Sequence, residues 1–431
     1  MTRRCGGGGG MEWPRIELGK AAEIRGGATP CRNNPAYWGG KIPWLTPTDL
    51  PANGSGVTEV TSTVNYITEE GLASCSACLL PRDTVLFSSR ASIGKVGIAA
   101  VPLSTNQGFA NFIPRRGVDS RYLAWCLHFH AEQIEGLAGS TTFKEVSKSA
   151  LRRFPIPLPP VSEQRRIVEI LDQADRLRRL RAEADAKADR ILPALFIRMF
   201  GDPATNPMGW PVGDLGDAML ETQYGTSKRA NTRGDGVLVV RMNNISRSGD
   251  VDLTDVKYVE LDDSELERQR LEPGDLLFNR TNSADLVGKT GRWTESSVPA
   301  VAASYLIRVR VDPAKALPEY VWALMNSSFI KMLLANKARR AVGMANINAT
   351  ELRGLPALFP PLPLQQGFAE RLRELEPCVE RRRRAAAALD RLLANLMSWA
   401  FSGALTASWR EAHMRELLQE MEQQAKALAT E

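Results

Sequence analysis

Two stretches of the chain place polar and basic side chains directly after an apolar run. The first run ends at Phe87 and is followed by Ser88, Arg90, Ser92 and Lys95. The second run ends at Phe278 and is followed by Asn279, Arg280, Thr281 and Lys289. Arginine can donate two hydrogen bonds to guanine, asparagine can pair with adenine, and serine or lysine can hold a phosphate. A loop at a strand end that carries these groups could therefore read DNA.

The alternative for both loops is a solvated turn whose arginine pairs with a nearby carboxylate. Asp83 is a candidate partner for Arg90, and Asp275 is a candidate partner for Arg280. The same arrangement recurs in both stretches. We therefore keep two hypotheses for these arginines, namely DNA recognition and an ion pair.

Other loops add further candidate residues. Residues 46–49 (Thr-Pro-Thr-Asp) correspond to residues 241–244 (Arg-Met-Asn-Asn), which include Asn243. Residues 139–144, which end in Lys144, and residues 343–346 each precede the last strand of their unit. Glycine in these stretches permits close backbone approach, although either loop could be a simple turn. The candidate DNA-binding residues are therefore Ser88, Arg90, Ser92, Lys95, Lys144, Asn243, Asn279, Arg280, Thr281 and Lys289.

Nucleotide and methyl-donor sites are poorly matched by the sequence. Residues 287–290 (Val-Gly-Lys-Thr) resemble the end of a phosphate-binding loop, but Ser283 stands where that loop requires its first glycine. Residues 34–37 (Asn-Pro-Ala-Tyr) resemble the Asn-Pro-Pro-Tyr tetrapeptide of amino-methyltransferases, but no glycine-rich cofactor loop accompanies them. We therefore expect no cofactor.

Cysteine and histidine offer one possible metal site. Cys75 and Cys78 form a single CxxC pair, which with Cys126, His128 and His130 could bind zinc. One such pair at these separations is a weak signal, and two buried thiols beside solvated imidazoles are favoured. The whole chain has three histidines, which leaves few candidates for histidine-based catalysis. We expect no metal and no catalytic residues.

The elements that must position the loops are marked by a long helical repeat. Between residues 161 and 200, apolar residues recur in steps of three and four, which predicts one face of a helix. The series is Ile167, Ile170, Ala174, Leu177, Ala184, Ala188, Ile191 and Leu195, and only Arg181 breaks it. A constant offset of 201 residues takes Gln164 to Gln365 and Arg181 to Arg382. Two copies in register predict two equal helices that pack on each other.

Capping and breaking residues suggest where these helices begin and end. Ser162 is a candidate N-cap, and Gly403 follows the second copy as a helix stop. Pro193 and Pro377 lie inside the periodic runs, so a kink or a new helix start is expected at each. From Trp409 onwards the composition predicts a short terminal helix.

The globular stretches repeat more loosely than the helices. Short β-rich runs separated by Gly, Pro, Asn and Ser turns occur in both. Arg90 is matched to Arg280, and the offset between matched residues varies from 190 to 198 along the two stretches. This predicts a mixed α/β (α+β) protein with an internal pseudo-two-fold repeat. The expected parts are a flexible extension (1–10), a globular unit (11–160), a helix (161–201), a second unit (202–361), a second helix (362–402) and a tail (403–431).

Composition sets broader limits. A chain of 431 residues is too long for one core, and its net charge of +6 mildly favours a polyanionic partner. Six scattered cysteines without a framework pattern indicate a reducing cytosol. No apolar run reaches the length of a membrane span. Residues 1–10 lack the apolar core of a signal peptide and look like a flexible extension, so Met11 is an alternative translation start.

The duplicated layout resembles a known family. Each long helix follows a Pro-Pro run and a glutamine, as in Pro-Leu-Pro-Pro-Val-Ser-Glu-Gln-Arg-Arg before Ile167, and the second ends in Phe-Ser-Gly-Ala-Leu-Thr at Thr406. Over residues 11–410 the chain looks like the specificity subunit of type I restriction–modification systems. The resemblance implies two target recognition domains, each reading half of a bipartite, asymmetric DNA site. It also implies an antiparallel coiled coil that sets the distance between the half-sites.

The resemblance further implies that the chain has no catalytic activity of its own. Its partners would be double-stranded DNA, two adenine-methylating modification subunits, and restriction (translocase and nuclease) subunits in the full complex. Two alternatives remain open from the sequence. One is a stand-alone DNA-modifying enzyme, and the other is a coiled-coil scaffold that does not bind DNA.

Overall fold

The computed structural model describes residues 13–52, 55–139, 144–283, 286–295, 297–338 and 345–430. The chain divides into two compact units. Unit 1 runs to Arg181 and resumes at Ala385, and unit 2 comprises Ala182–Arg384. The predicted flexible extension, residues 1–10, lies outside the described residues.

The strands of unit 1 form two main sheets. Their order is β2-β9-β6-β7-β4 in one sheet and β5-β3-β8 in the other, while β1 pairs with β10. The strands are β1 (Arg15–Glu17), β2 (Ala22–Gly26), β3 (Trp38–Leu45), β4 (Thr58–Val60), β5 (Asn65–Ile67), β6 (Val85–Ser88), β7 (Val96–Ala99), β8 (Ser104–Thr105), β9 (Phe109–Pro114) and β10 (Pro155–Pro157).

Unit 2 repeats this arrangement. Its sheets have the orders β12-β19-β15-β17 and β14-β13-β18, while β11 pairs with β21 and β16 pairs with β20. The strands are β11 (Val212–Asp214), β12 (Met219–Tyr224), β13 (Val237–Val240), β14 (Lys257–Val259), β15 (Leu276–Asn279), β16 (Thr281–Asn282), β17 (Thr290–Arg292), β18 (Ala300–Ala302), β19 (Leu306–Val311), β20 (Ala345–Asn346) and β21 (Pro356–Leu358).

Helices cover these sheets and link the units along the chain. The helices are α1 (Leu18–Ala21), α2 (Glu69–Ala73), α3 (Ser120–Phe129), α4 (Ala131–Glu135), α5 (Lys148–Arg153), α6 (Val161–Ala188), α7 (Ile191–Phe200), α8 (Asp263–Gln269), α9 (Pro318–Met325), α10 (Ser328–Ala338), α11 (Ala349–Arg353), α12 (Leu362–Ser402), α13 (Ala407–Ala412) and α14 (Met414–Thr430). Within the described residues, no helix combines the length and apolar content needed to cross a membrane.

The long helices pack antiparallel within each unit, as the resemblance to specificity subunits implied. In unit 1 the core contains Ile167 from the start of α6 and Ala400 from the end of α12. In unit 2 the ring of Phe200, at the end of α7, lies 5.4 Å from that of Phe368, near the start of α12. The predicted mixed α/β fold with two domains separated by long helices is therefore confirmed.

The predicted apolar seam is only partly correct. Ile167 is buried, but Leu177 is 57% exposed and Ile191 is 52% exposed. The buried face of α6 contains Gln164, Ile167, Val168, Leu171 and Asp175 instead. The face is rotated because α6 also packs on the domain of unit 1, where the Trp125 indole donates to Asp172 over 2.9 Å. A spacing pattern alone does not separate these two neighbouring faces.

Helix boundaries both confirm and correct the sequence reading. A new helix, α7, begins two residues before Pro193, and α12 ends at Ser402 before Gly403, whose φ is +85°. Of the kink or new start expected at Pro377, the new start does not occur, because α12 continues through that residue. Ser162 is not an N-cap either, since α6 already begins at Val161. The predicted single terminal helix is the pair α13 and α14.

Candidate nucleic-acid interface

Four backbone hydrogen bonds define the loop that follows β6 in unit 1. The Ser88 amide donates to Lys95 O, and the Gly94 amide donates back to Ser88 O. The Ser89 amide donates to Gly108 O, and Ser89 O accepts from the Val146 amide. All four distances lie between 2.9 and 3.0 Å. The loop is thus fixed on two sides, by the chain after β8 and by the segment before α5.

Unit 2 repeats the same four bonds after β15. The Asn279 amide donates to Lys289 O and the Gly288 amide to Asn279 O, both over 2.9 Å. The Arg280 amide donates to Tyr305 O over 3.0 Å, and Arg280 O accepts from the Ile347 amide over 2.9 Å. The backbone frame of the two loops is therefore duplicated, although unit 2 has more residues between its first and last anchors.

This frame corrects the sequence match of Arg90 with Arg280. Ser88 corresponds to Asn279, so Ser89 corresponds to Arg280 and Arg90 to Thr281. The cross-strand neighbours agree, because Arg90 bridges to Glu145 while Thr281 pairs with Asn346. The two arginines therefore occupy successive rather than equivalent positions. Matching the letters aligned them because the loop lengths differ.

The two lysines occupy equivalent positions and make equivalent contacts. Lys95 Nζ donates to Pro47 O and Leu50 O over 2.7 and 2.9 Å. Lys289 Nζ donates to Met242 O and Ile245 O over 3.1 and 2.6 Å. Burial lowers the pKa of Lys289 below its usual value. Each ammonium thus ties its own loop to the polar loop after β3 or β13.

Two predicted residues lie beneath these loops. Ser88 is fully buried, and its hydroxyl donates to Ser92 O over 2.5 Å while accepting from the Lys95 amide over 2.8 Å. Asn279 is also fully buried, and its Nδ2 lies 3.5 Å from Leu286 O. Both side chains therefore shape the loop from below.

The remaining candidates of unit 1 reach the surface. Arg90 is half-exposed and lies 3.8 Å from a carboxylate oxygen of Glu145, so its ion-pair partner is Glu145 rather than Asp83. Ser92 is exposed. Lys144 is exposed and pairs with Glu135 over 3.1 Å. A surface pair of this kind is weak and leaves both charges accessible.

One of the remaining candidates of unit 2 lies against an aromatic ring. The Arg280 guanidinium lies 4.8 Å from the centroid of the Tyr224 ring, at the end of β12. Asp275, the carboxylate proposed as its partner, is bonded to Arg310 instead over 3.1 Å. Thr281 donates to the Asn346 side chain over 3.1 Å, and Asn243 is exposed.

Two exposed tyrosines beside Arg280 were missed by the sequence analysis. Tyr224 is 44% exposed and Tyr305 is 49% exposed. Tyr224 immediately precedes Gly225, whose missing side chain lets the backbone approach Ala302 O and Ala303 O. The sequence signal for Tyr224 is an aromatic residue at a strand end directly before such a glycine.

The glycine-containing loops are only partly described. Residues 140–143 of the stretch 139–144, and residues 343–344 of the stretch 343–346, lie outside the described residues. Lys144 and Asn346, which end these two stretches, are described and face Ala91 and Thr281 respectively.

The cysteine and histidine candidates form no metal-binding group in the described part of the chain. No group of three or more His, Cys, Asp or Glu side chains there could hold a metal ion. Cys126 is buried, and burial raises the pKa of its thiol. His130 Nδ1 lies 2.8 Å from Cys126 O, an ordinary helical contact. Cys75 and Cys78 are half-buried free thiols.

Comparison with known proteins provides the remaining evidence. Residues 11–187 match the model of the type I restriction modification DNA specificity domain. Over 233 residues the chain is 35% identical to the MjaIX specificity subunit of Methanocaldococcus jannaschii, covering 50% of this chain and 53% of that protein. Over 364 residues it is 26% identical to the EcoKI specificity subunit of Escherichia coli K12, covering 77% of this chain and 76% of that protein.

This chain is therefore similar to type I restriction enzyme specificity subunits, and its residues 11–187 match their DNA specificity domain. It spans about half the length of the first relative and about three quarters of the second. Solved structures of low sequence identity share the fold of this chain. A type I R-M chain is similar with a TM-score of 0.53 at 16% identity, covering 91% of this chain and 98% of that one. The S subunit of M. genitalium gives 0.51 at 13% identity, covering 93% and 99%.

Proposed function

We propose that this chain is the DNA-recognition subunit of a type I restriction–modification complex in the cytoplasm. Each unit binds one half of a bipartite, asymmetric site through the loops around β6 or β15. Adenine methylation is carried out by two modification subunits, and cleavage by restriction subunits, so the chain itself is not an enzyme. The carrying observation is the duplicated loop frame, in which four backbone hydrogen bonds and one lysine recur in both units.

Different side chains on the same frame support this proposal. A recognition subunit needs the same approach to DNA in both units but different base contacts at each half-site. The frame supplies the first requirement. The exposed residues supply the second, since Arg90 and Ser92 stand in one loop while Arg280 and Thr281 stand in the other. Ser88 and Asn279 are assigned to holding the loops rather than to base contact.

Methylation mapping in the source cell tests the proposal. Adenine methylation should be mapped at single-molecule level with the gene present and with it deleted. We expect one bipartite methylated motif to disappear on deletion. An unchanged methylome would contradict the proposal.

Two purified-component measurements separate the alternatives. The chain alone, incubated with DNA and a labelled methyl donor, should transfer no label, whereas transfer would support a stand-alone enzyme. The complex assembled with its modification subunits should bind DNA with an affinity that falls steeply with salt. Binding that ignores both salt and sequence would favour a scaffold.

A further inference from the structure

Arg280 differs from four other arginines of unit 2. Arg241, Arg292, Arg308 and Arg310 each form an ion pair with an aspartate or glutamate at 3.1 Å or less. No carboxylate partner of Arg280 occurs among the described residues, and its buried Nε has no hydrogen-bond acceptor there. The buried Nε atoms of Arg241 and Arg308 also lack an acceptor, so the distinguishing feature of Arg280 is its missing ion pair, which leaves its N–H donors to a ligand.

Tyr224 holds this arginine without consuming its donors. The guanidinium carbon lies 4.8 Å from the ring centroid, a cation–π distance. The ring is itself fixed, because the Tyr224 hydroxyl accepts from the Ala349 amide at the start of α11 over 3.0 Å. A stacked guanidinium keeps its N–H groups for a ligand that offers two acceptors side by side.

Unit 1 has different residues at the positions that correspond to Tyr224 and Arg280. Gly26 ends β2 as Tyr224 ends β12, and each is followed by a glycine that packs against a carbonyl pair. A Cβ on Gly26 would lie 2.2 Å from Lys148 Nζ, so a lysine end occupies the space that the tyrosine fills in unit 2. Ser89 stands at the position of Arg280. Unit 1 therefore lacks both members of the stack.

We propose that Arg280, positioned by Tyr224, reads a guanine in the half-site bound by unit 2. This rests on the proposed function and names its base contact. Guanine presents O6 and N7 as adjacent acceptors in the major groove, which is the pattern that two parallel guanidinium donors match. Arg280 is the base-contacting residue, and Tyr224 is a positioning residue that acts through it. Unit 1 makes no equivalent contact from Ser89.

The test is to assemble the complete complex with single variants of this chain and to determine which DNA motif each complex methylates. With Arg280→Ala, one G·C pair of one half-site should relax to any base pair, with roughly ten- to a hundredfold loss of discrimination there. The other half-site should be unchanged. Arg280→Lys should relax the same pair, since a lysine cannot form the paired bonds.

Tyr224 variants separate positioning from general destabilisation. Tyr224→Phe keeps the stacked ring but loses the bond to the Ala349 amide, so it should retain most of the guanine preference. Tyr224→Leu removes the stack and should relax the same base pair as Arg280→Ala. Arg384→Ala changes an exposed arginine on α12 and serves as the control, with an unchanged motif. If Arg280→Ala abolishes methylation altogether, the Lys, Phe and Leu variants still decide the question.

Several outcomes would overturn the inference while leaving the proposed function intact. These are a wild-type half-site without a G·C pair, an unchanged motif in Arg280→Ala, or uniform weakening with a salt slope reduced by about one, which indicates a phosphate contact. A methylome unaffected by gene deletion would instead remove the proposed function itself.

Discussion

Gln164 and Gln365 make the same hydrogen bonds in the two units. Each side-chain nitrogen donates over 2.8 Å to a proline carbonyl five residues earlier, at Pro159 and Pro360 respectively. Each side-chain oxygen accepts over 2.8 Å from the amide just before α3 or α9, at Asp119 and Leu317. Both glutamines are fully buried. The Pro-Pro-x-x-x-Gln motif therefore locks the start of a long helix to the domain before it.

The two glutamines should nevertheless differ in their contribution to stability. In unit 1, Gln424 from α14 donates to the same two carbonyls as Gln164, Gly117 O and Pro159 O. Gln164→Ala therefore leaves these carbonyls with a donor. Gln365→Ala leaves Pro360 O and the Leu317 amide buried without partners, which should cost about 2 kcal/mol of unfolding free energy.

A double-mutant cycle checks this redundancy by urea unfolding of the full chain. Gln164→Ala and Gln424→Ala together should destabilise by at least about 1 kcal/mol more than the sum of the singles. Gln366→Ala, one position along α12 and exposed, is the control and should have little effect. Strict additivity in the cycle would show that the two side chains do not substitute for each other.

A buried ion pair joins the tail to the start of α6. Arg410 Nε donates to Glu163 over 2.8 Å, and Glu163 also accepts from Thr406 and the Trp13 indole. Arg410→Met would leave a buried carboxylate without its counter-ion, at a cost of about 3–5 kcal/mol. Adding Glu163→Gln should recover part of that loss.

Unfolding measurements on the single and double variants test this pair. Arg166→Met, which removes the exposed pair with Glu169, should change stability by less than about 1 kcal/mol. Equal effects of Arg410→Met and Arg166→Met would mean that the tail contributes no buried charge pair.

The sequence predicted those parts of the fold that depend only on the spacing of residues along the chain. The constant offset between Gln164 and Gln365 predicted two equal helices that pack on each other, because a helix tolerates no insertion without rotating its buried face. The apolar runs before Ser88 and Asn279 predicted the central strands in both sheets. The apolar face predicted for α6 was misplaced because α6 packs on two neighbours. The spacing of its apolar residues reflects both contacts together.

The details of the candidate interface required coordinates. Letter matching paired Arg90 with Arg280, since the differing loop lengths hid the register that four backbone bonds fix. Lys95 and Lys289 looked like phosphate ligands because a sequence does not show that carbonyls lie within reach of the ammonium. Tyr224 escaped notice because its partner, Arg280, lies between β15 and β16 and is distant in sequence.

Unit 1 should lose stability in mild acid. Burial lowers the pKa of His128 and of His130, and the charge of Arg178 lowers that of His128 further. Between the lowered folded-state pKa and the unfolded value of about 6.5, the unfolded chain binds more protons than the folded chain. Stability is therefore fully present above about pH 6.5 and falls as the pH drops through this window.

His130→Gln tests this dependence. The loss of unfolding free energy between pH 7.5 and pH 5.5 should be smaller in the variant than in the wild type, while both keep the same pH dependence above pH 7. The measurement is urea unfolding at each pH. An identical loss in both proteins would assign the acid sensitivity to other groups.

Lys289 and Lys144 should respond differently when the assembled complex binds DNA. Lys289 donates to Met242 O and Ile245 O, so Lys289→Met should loosen the loop that carries Asn243 and weaken one half-site. Its effect on the salt dependence should be small, because that ammonium already serves two carbonyls. Lys144 is exposed, so Lys144→Ala should lower the slope of log K against log salt by about one. The measurement is binding affinity at several salt concentrations. A reduced slope for Lys289→Met would show that its ammonium leaves the carbonyls to meet a phosphate, because only a released counterion changes that slope.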